Sequence, residues 1–255
     1  MQKLRLRLPA LLAMAVLLPP AAQAQQQTIY TFVAEWHVPR AQWGAFTDAA
    51  MKNTVPVLER LVADGTLVEF AITASVVHTE EGPTHTSWWS AASFAGVNRA
   101  LGELLKVSQL AEFSSAKHRD HLLRSVIYES SKTAKLTSGF GHLGLTRVKP
   151  GKARDWRELY DKYNKPVYDK LLADGVILGY GVDVESIHTE DPGNRMSWFL
   201  AANAESVDKV DAAIAAAQQQ ATPVERRAIS AAFADVTVPG SHRDSLDRII
   251  YYVHK

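Results

Sequence analysis

PVLERLVADGTLVEFAITASVVHTEEGPTHTSWWSAA, the stretch from Pro56 to Ala92, has a second, related copy in this chain. Its second copy runs from Pro166 to Ala202 and lies 110 positions later without a gap. Ala-Asp-Gly, His-Thr-Glu, Ser-Trp and Ala-Ala stand at matching places in the two copies. This register indicates an internal duplication, because a chance match of one short motif does not extend through its neighbours.

Each copy has the pattern of one βαββαβ unit. The predicted elements of the first copy are strand 28–38, helix 40–63, strands 67–78 and 84–93, helix 94–113 and strand 122–129. Pro56 and Pro166 lie inside the first helix of their copies. Because proline removes a helical hydrogen bond and clashes with the preceding turn, we expect a kink or a restart at both positions.

The first 24 residues have the pattern of a secretory signal peptide. Lys3, Arg5 and Arg7 precede an apolar run that is too short to span a bilayer, and Ala22-Gln23-Ala24 follows as a small-x-small cleavage site. We expect cleavage after Ala24. The mature protein is then expected to be periplasmic or secreted, soluble, and without stable membrane association.

The mature chain divides into two predicted repeats. They are residues 25–129, a polar linker at 130–137, and residues 138–255 with a helical insert near 219–240. In the insert, Thr222-Pro223-Val224-Glu225 has the form of a capping box and predicts the start of a short helix. Beyond it the register resumes at a new spacing, since His118-Arg119-Asp120 is repeated by His242-Arg243-Asp244.

Composition excludes several classes of function. The chain has no cysteine, which rules out disulfides, thiolate metal sites and cysteine nucleophiles. With 28 basic and 27 acidic residues the net charge is +1, so the overall charge creates no electrostatic attraction for nucleic acid. The chain also lacks the Gly-x-Ser-x-Gly, phosphate-loop and His-Glu-x-x-His motifs of hydrolases, kinases and zinc proteases.

A βαββαβ unit is the ferredoxin-like arrangement, an antiparallel sheet with helices on one face only, so its bare face must be buried. Two such halves, each with a proline-interrupted first helix ending in Ala-Asp-Gly, resemble the dimeric α/β-barrel superfamily. The resemblance implies an α+β fold in which two ferredoxin-like repeats close into a pseudo-dimeric barrel within one chain. Strand order 4-1-3-2 then places strand 2 of each half beside strand 4 of the other. Further oligomerisation is left open.

This pairing predicts contact between the repeated polar motifs, His-Thr-Glu of one half with His-Arg-Asp of the other. One interpretation is a latch, in which Glu80 meets Arg243 and Glu190 meets Arg119. The other is a metal or acid-base site, since imidazole and carboxylate together suit zinc, iron or copper. The candidate residues are His78, Glu80, His242, Asp244, His188, Glu190, His118 and Asp120. His85 and His121 lack histidine counterparts, and such asymmetry can mark a function kept by one half.

The repeated tryptophans indicate a second candidate site. In Trp88-Trp89 and in Trp198-Phe199 one ring must face the helices and the other the barrel, because adjacent strand residues point opposite ways. Trp88 and Trp198 are core residues or line a pocket for a flat apolar ligand. The other candidate ligand-binding residues are Arg124 and Arg248 as polar handles, and His142, which replaces Phe32 within its strand.

Three functions remain open. The favoured one is an exported protein that binds a small apolar or aromatic molecule between sheet and helices. The alternative is a haem- or metal-dependent oxidoreductase or monooxygenase, since the resemblance implies haem enzymes as relatives. The third is a structural or interaction role without a ligand.

Overall fold

The computed structural model describes residues 28–107, 110–114, 116–131, 134–188 and 192–255. The predicted signal peptide at 1–24 and the candidate residue Glu190 lie outside these ranges. Within them, none of the helices combines the length and the hydrophobicity that crossing a bilayer requires.

The first half has the predicted βαββαβ order. Its elements are β1 (Tyr30–His37), α1 (Trp43–Ala49), α2 (Val55–Ala63), β2 (Glu69–Ser75), β3 (His85–Ala91), α3 (Phe94–Leu104), α4 (Ala111–Ser114) and β4 (Lys117–Ser130). A 3₁₀ turn at Arg40–Gln42 precedes α1, and a π-helical turn at Ala50–Thr54 joins α1 to α2. Pro56 lies in the first turn of α2, so the predicted interruption is confirmed.

The second half repeats this order after a short strand. Its elements are β5 (Ala134–Leu136), β6 (Phe140–Arg147), α5 (Ala153–Tyr163), α6 (Lys165–Ala173), β7 (Gly179–Glu185), β8 (Asn194–Ala201), α7 (Ala204–Gln220), α8 (Pro223–Val236) and β9 (Arg243–His254). Pro166 begins α6 as Pro56 begins α2. The capping box at Thr222 and Glu225 opens α8, as the sequence predicts.

The predicted helix 94–113 is divided, since α3 ends at Leu104 and α4 covers Ala111–Ser114, and two strands also differ from the prediction. Strand β4 begins at Lys117 rather than near 122, because its first residues pair with β1 in the register His37 to Lys117. Strand β5 lies inside the predicted linker, where its backbone pairs with the end of β9 in the register Ala134 to His254. In both cases a partner strand supplies hydrogen bonds that polar side chains alone do not indicate.

Eight strands close into a barrel. The order is β2-β3-β1-β4 in the first half and β7-β8-β6-β9 in the second, and antiparallel β4–β7 and β2–β9 pairings join them. This confirms the predicted order and the predicted pairing of strand 2 with strand 4. The register is also symmetric, since Glu69 pairs with His254 as Gly179 pairs with Ser130.

Three clusters of apolar side chains form the core. One lies between the sheet and helices of each half, and the third lies inside the barrel around Ala71, Leu200 and Tyr252. Trp89 and Phe199 face the helices of their halves, which confirms the alternation expected for strand residues. Burying one such large side chain contributes about 1.5–3 kcal/mol.

Candidate functional site

A cleft of about 330 Å³ opens in the second half, between the start of α5, the middle of β4, the end of β7 and the start of β8. We call it the arginine cleft. Its polar lining consists chiefly of four guanidinium groups and one imidazole, and its floor is aromatic: Arg124, Arg154, Arg157, Arg195, His188 and Trp156.

The secondary structure brings the lining side chains together from α5, β4, β7 and β8. Arg124 on β4 and Val184 on β7 are register partners, and both line the cleft. The register of β4 shifts between Ser125 and Ile127, so Val126 bulges toward the cleft. Its carbonyl oxygen accepts a 2.6 Å hydrogen bond from Nη1 of Arg157, which ties α5 to the strand.

In the first half the equivalent space is filled. Trp43 on α1 donates from Nε1 to the carbonyl oxygen of Val38 at 2.8 Å. Its ring stacks on His78 with 4.6 Å between the ring centroids and lies edge-on to His85 at 5.8 Å. His85 is buried, and Thr84 and Thr47 contact its ring nitrogens.

The 110-residue register shows what changes between the halves. Ala153 stands where Trp43 stands, and Arg195 where His85 stands. Losing the indole leaves a gap beside the sheet, and the residue that replaces the buried histidine carries a permanent charge. The same duplication therefore yields one closed and one open cleft.

Two of the arginines, Arg124 and Arg195, have no carboxylate partner among the described residues. Arg195 is half-buried, and its Nη1 donates to the carbonyl oxygens of Asn194 at 2.8 Å and Gly193 at 3.4 Å. Burial, and then the nearby charge of Arg124, lower the pKa of Arg195. By contrast, Arg157 pairs with Asp161 at 2.7 Å and Arg154 with Glu158 at 2.9 Å. The cleft thus combines positive charge with an apolar floor of Trp156, Val126 and Val184.

The inside of the barrel carries a second set of polar groups, which sequence reasoning missed. Glu69 is 2% exposed and accepts a 2.8 Å hydrogen bond from the Tyr252 hydroxyl. Asp183 is 5% exposed and accepts from Ser125 Oγ at 2.6 Å and Trp198 Nε1 at 2.9 Å. Burial raises the pKa of Glu69 to about 7 and that of Asp183 to about 6, and the charge of Asp183 adds to the rise at Glu69.

A line of charged groups leads from this interior to the barrel mouth. His121 is buried between two carboxylates, with Nε2 3.6 Å from Glu35 and Nδ1 3.6 Å from Glu185. Arg119 binds the same Glu35 at 2.6 Å. Burial would raise the pKa of Glu35, but hydrogen bonds from His121 and Arg119 outweigh it, and the pKa is lowered.

These acids could have been found in the sequence by their position. Glu69 is the one charged residue of β2, and Asp183 shares the inward face of β7 with Glu185, while the other residues of both strands are mostly buried. The duplication hides them, because their counterparts are not acidic: Glu35 matches Leu145, Glu69 matches Gly179, and Thr73 matches Asp183.

Among the described residues, the first pair of repeated motifs, at His78–Glu80 and His242–Asp244, does not form the expected contact. The β2–β9 pairing ends at Ser75 and Asp247, and His78 turns away to stack on Trp43. Arg243 donates to the backbone oxygens of Gly240 and His242, so the expected latch to Glu80 is not formed. Glu190 of the second expected latch lies outside the described residues.

The metal candidates are spread over separate places. His242 pairs with Asp244 at 2.9 Å, and His118 lies 3.6 Å from Asp120 and against the ring of Trp36. Across the described ranges, no group of three or more histidine and acidic side chains could hold a metal ion. The predicted metal site is therefore not assembled there, because the strands end before the motifs meet.

The candidate ligand-binding residues also separate. Trp88 and Trp198 lie in the barrel cluster, whereas Arg124 lines the arginine cleft on the other face of the sheet. Arg248 is exposed, in register with Ala74. His142 faces the helices, where its ring stacks on Phe199 at 5.0 Å and lies 3.5 Å from Asp244. Of these five residues, Arg124 lines the cleft.

The described residues do not fit a haem between sheet and helices of the second half. Buried rings fill that space: Trp156 stacks on Tyr160 at 5.2 Å, and Tyr168 stacks on Tyr180 at 5.3 Å. A macrocycle would have to displace them. His188, the imidazole that lines the cleft, is exposed at its edge.

A second cleft, of about 440 Å³, lies at the barrel mouth of the first half and includes Glu80, Glu81 and Lys117. Two of its polar side chains already have partners. Arg119 binds Glu35, and Nδ1 of His37 lies 3.0 Å from the carbonyl oxygen of Gly82. This cleft therefore offers a ligand fewer unused donors than the arginine cleft.

No protein-family model matches the chain, and a search of curated proteins gave no match. Solved structures do resemble it. A monooxygenase-like protein from Lactobacillus acidophilus NCFM is 10% identical, with a TM-score of 0.60 over 88% of this chain and 94% of that chain. A monooxygenase-like protein from Fusobacterium nucleatum is 8% identical, with a TM-score of 0.60 over 91% and 96%.

A chlorite dismutase-like protein is 12% identical, with a TM-score of 0.53 over 88% of this chain and 95% of that chain. At these identities the likeness concerns the fold and carries no activity. The chain has the fold of the dimeric α/β-barrel proteins, with both ferredoxin-like halves in one polypeptide.

Proposed function

We propose that the mature protein is an exported small-molecule-binding protein whose ligand occupies the arginine cleft, with a flat apolar part against Trp156. The observation that carries this proposal is the exchange of Trp43 for Ala153 between equivalent positions. Where a duplicated fold fills a gap in one half and leaves it open in the other, the open gap is the better candidate for a ligand.

The size and lining of the cleft support the proposal. Its volume of about 330 Å³ falls at the lower end of the range for small-molecule sites, roughly 300 to 1,000 Å³. Val126, Trp156 and Val184 supply apolar surface, and arginine donors surround it. Such sites typically combine an apolar lining with a few placed polar groups.

The other two functions have less support. A purely structural role predicts that both halves are filled, whereas only the Trp43 side is closed. An oxidoreductase role is favoured by the names of the neighbouring structures, which share the fold with this chain and show 8–12% identity to it. The packed rings around Trp156 also argue against a haem in the second half.

A matched pair of variants tests the proposal. Ala153→Trp places the first half's indole in the second cleft, and Ala216→Trp adds the same ring at an exposed position of α7. The probe is N-phenyl-1-naphthylamine, an uncharged fluorophore that brightens in apolar surroundings. We expect Ala153→Trp to weaken probe binding by about tenfold or more, while Ala216→Trp leaves it unchanged. Equal binding by the wild type and Ala153→Trp would refute the site.

The exported state is supported by the N-terminal pattern of the sequence. N-terminal sequencing of the protein recovered from the native host's non-cytoplasmic fraction should begin at Gln25. A chain that begins at Met1 would contradict cleavage.

A further inference from the structure

We infer that the ligand of the arginine cleft is an aromatic oxyanion, a carboxylate or sulfonate, whose acid group is held by Arg124 and Arg195. This inference rests on the proposed function, since it names the chemical class of ligand for the same cleft.

The first support is a pair of cations that the described residues leave without a carboxylate partner. Arg124 and Arg195 both line the arginine cleft, the charge of Arg124 acts on Arg195, and neither forms an ion pair with a carboxylate of the described residues. Two like charges beside a partly buried surface repel each other. An anion bound between them removes that repulsion and gains charge-assisted hydrogen bonds.

The second support comes from the comparison of the two halves. Arginines replace smaller or neutral residues at three lining positions of the open cleft: Gly44 is matched by Arg154, Thr47 by Arg157 and His85 by Arg195. The chain as a whole carries a net charge of only +1, so this accumulation is local. Arg154 and Arg157 pair with Glu158 and Asp161, so among these three it is the charge of Arg195 that goes together with the missing indole and lacks a carboxylate partner among the described residues.

The third support is that the donors are held in place. Backbone oxygens of Gly193 and Asn194 fix one end of Arg195, and Val126 and Asp161 fix Arg157. Donors held before a ligand arrives lose less conformational entropy on binding.

One acid also lines the cleft, and its position is compatible with an anionic ligand. The side chain of Glu185 is 1% exposed and lies 3.6 Å from Nδ1 of His121, on the barrel side. Arg124 is in register with Val184 on the outer face of the sheet, and the adjacent strand residues Val184 and Glu185 point to opposite faces. The sheet thus separates the acid from the guanidinium groups.

Two probes that differ in one group test the inference. 1-Anilinonaphthalene-8-sulfonate has the ring system of N-phenyl-1-naphthylamine plus a sulfonate. We expect the wild type to bind the sulfonate about tenfold or more tightly than the neutral probe. The preference should weaken as salt is added, because the cations lie near solvent.

The variant Arg124→Gln/Arg195→Gln should lose this preference and keep its affinity for the neutral probe. The control is Arg248→Gln. Arg248 is the counterpart of Arg124 in the repeat and lies opposite Ala74 on β2 of the first half, away from the arginine cleft. It should keep the preference.

The outcomes separate the two proposals. If both probes bind equally well and Ala153→Trp blocks both, the ligand is not an anion, although the cleft is a site. If Ala153→Trp blocks neither probe, both the anion inference and the proposed function are refuted. A preference that survives in Arg124→Gln/Arg195→Gln would overturn the role of these two arginines.

Discussion

Trp43 and Ala153 occupy equivalent positions in the two halves of one barrel, and only the tryptophan fills the space between helix and sheet. The duplication thus provides an internal control. Differences between the halves that coincide with a cleft are candidates for function, whereas shared features are explained by the fold they both form.

Trp43→Ala should open the first-half cleft. The variant loses the stack on His78 and the hydrogen bond to Val38, so we expect the free energy of unfolding to fall by about 2–4 kcal/mol. The binding stoichiometry of N-phenyl-1-naphthylamine should rise from one to two per chain. A stoichiometry that stays at one in a folded variant would show that the indole does not close a site.

Glu69→Gln should stabilise the protein above neutral pH. In the folded state the pKa of Glu69 is raised from 4.5 to about 7, so the folded state binds the proton more tightly than the unfolded chain. The stabilisation that the protonated Glu69 side chain contributes to folding is therefore fully present below pH 4.5 and is lost as the pH rises through about 7. At pH 8 the glutamine variant should be more stable than the wild type by about 1–3 kcal/mol.

Urea unfolding at pH 4.5 and pH 8 measures this difference. The control Glu112→Gln changes an exposed carboxylate and should have little effect at either pH. A Glu69→Gln variant that is less stable than the wild type at pH 8 would contradict the assignment.

Arg119→Gln should destabilise the protein near neutral pH. The pKa of Glu35 is lowered in the folded state, so its stabilising effect is present above pH 4.5 and is lost as the pH falls through the folded value. Because Arg119 is largely exposed, we expect a loss of about 1 kcal/mol at pH 7 and less at pH 3. Arg243→Gln is the control, since Arg243 faces Leu145 instead of a glutamate.

Gly181→Ala should disturb the barrel interior. A Cβ at this position would lie 2.6 Å from the carbonyl oxygen of Ile127 and 2.6 Å from the Trp198 ring, which binds Asp183. We expect a loss of about 1–3 kcal/mol in unfolding free energy and a changed tryptophan emission. Gly44→Ala meets no atom within 4 Å and should be neutral or slightly stabilising in its helix. Similar stabilities for the two variants would contradict the packing.

Much of the fold could be predicted because the duplication fixes it. Pro56 and Pro166 mark the helix restart in both halves, and the shared register aligns the strands one by one. A bare ferredoxin-like sheet must be covered, which predicts the closed barrel. The short strand at Ala134–Leu136 escaped prediction, since its pairing with β9 depends on tertiary contacts.

The site was harder to predict, for identifiable reasons. Strand pairing predicts that the histidine motifs meet. However, β2 ends at Ser75, and the His78 ring stacks on the Trp43 ring instead. Arg124 was named as a polar handle, yet the aromatic floor beside it is Trp156, not Trp198. Ala153 matters because it lacks the indole ring that Trp43 carries at the equivalent position. The gap that this leaves is seen when the two halves are compared in space.

The most direct test of the account is a crystal structure of Gln25–Lys255 with 1-anilinonaphthalene-8-sulfonate. We predict that the naphthalene ring lies against Trp156 at the Ala153 gap, with the sulfonate within hydrogen-bond distance of Arg124 and Arg195. A ligand bound at the barrel mouth beside Glu35 would contradict this prediction. So would an arginine cleft that contains no ligand at a saturating ligand concentration.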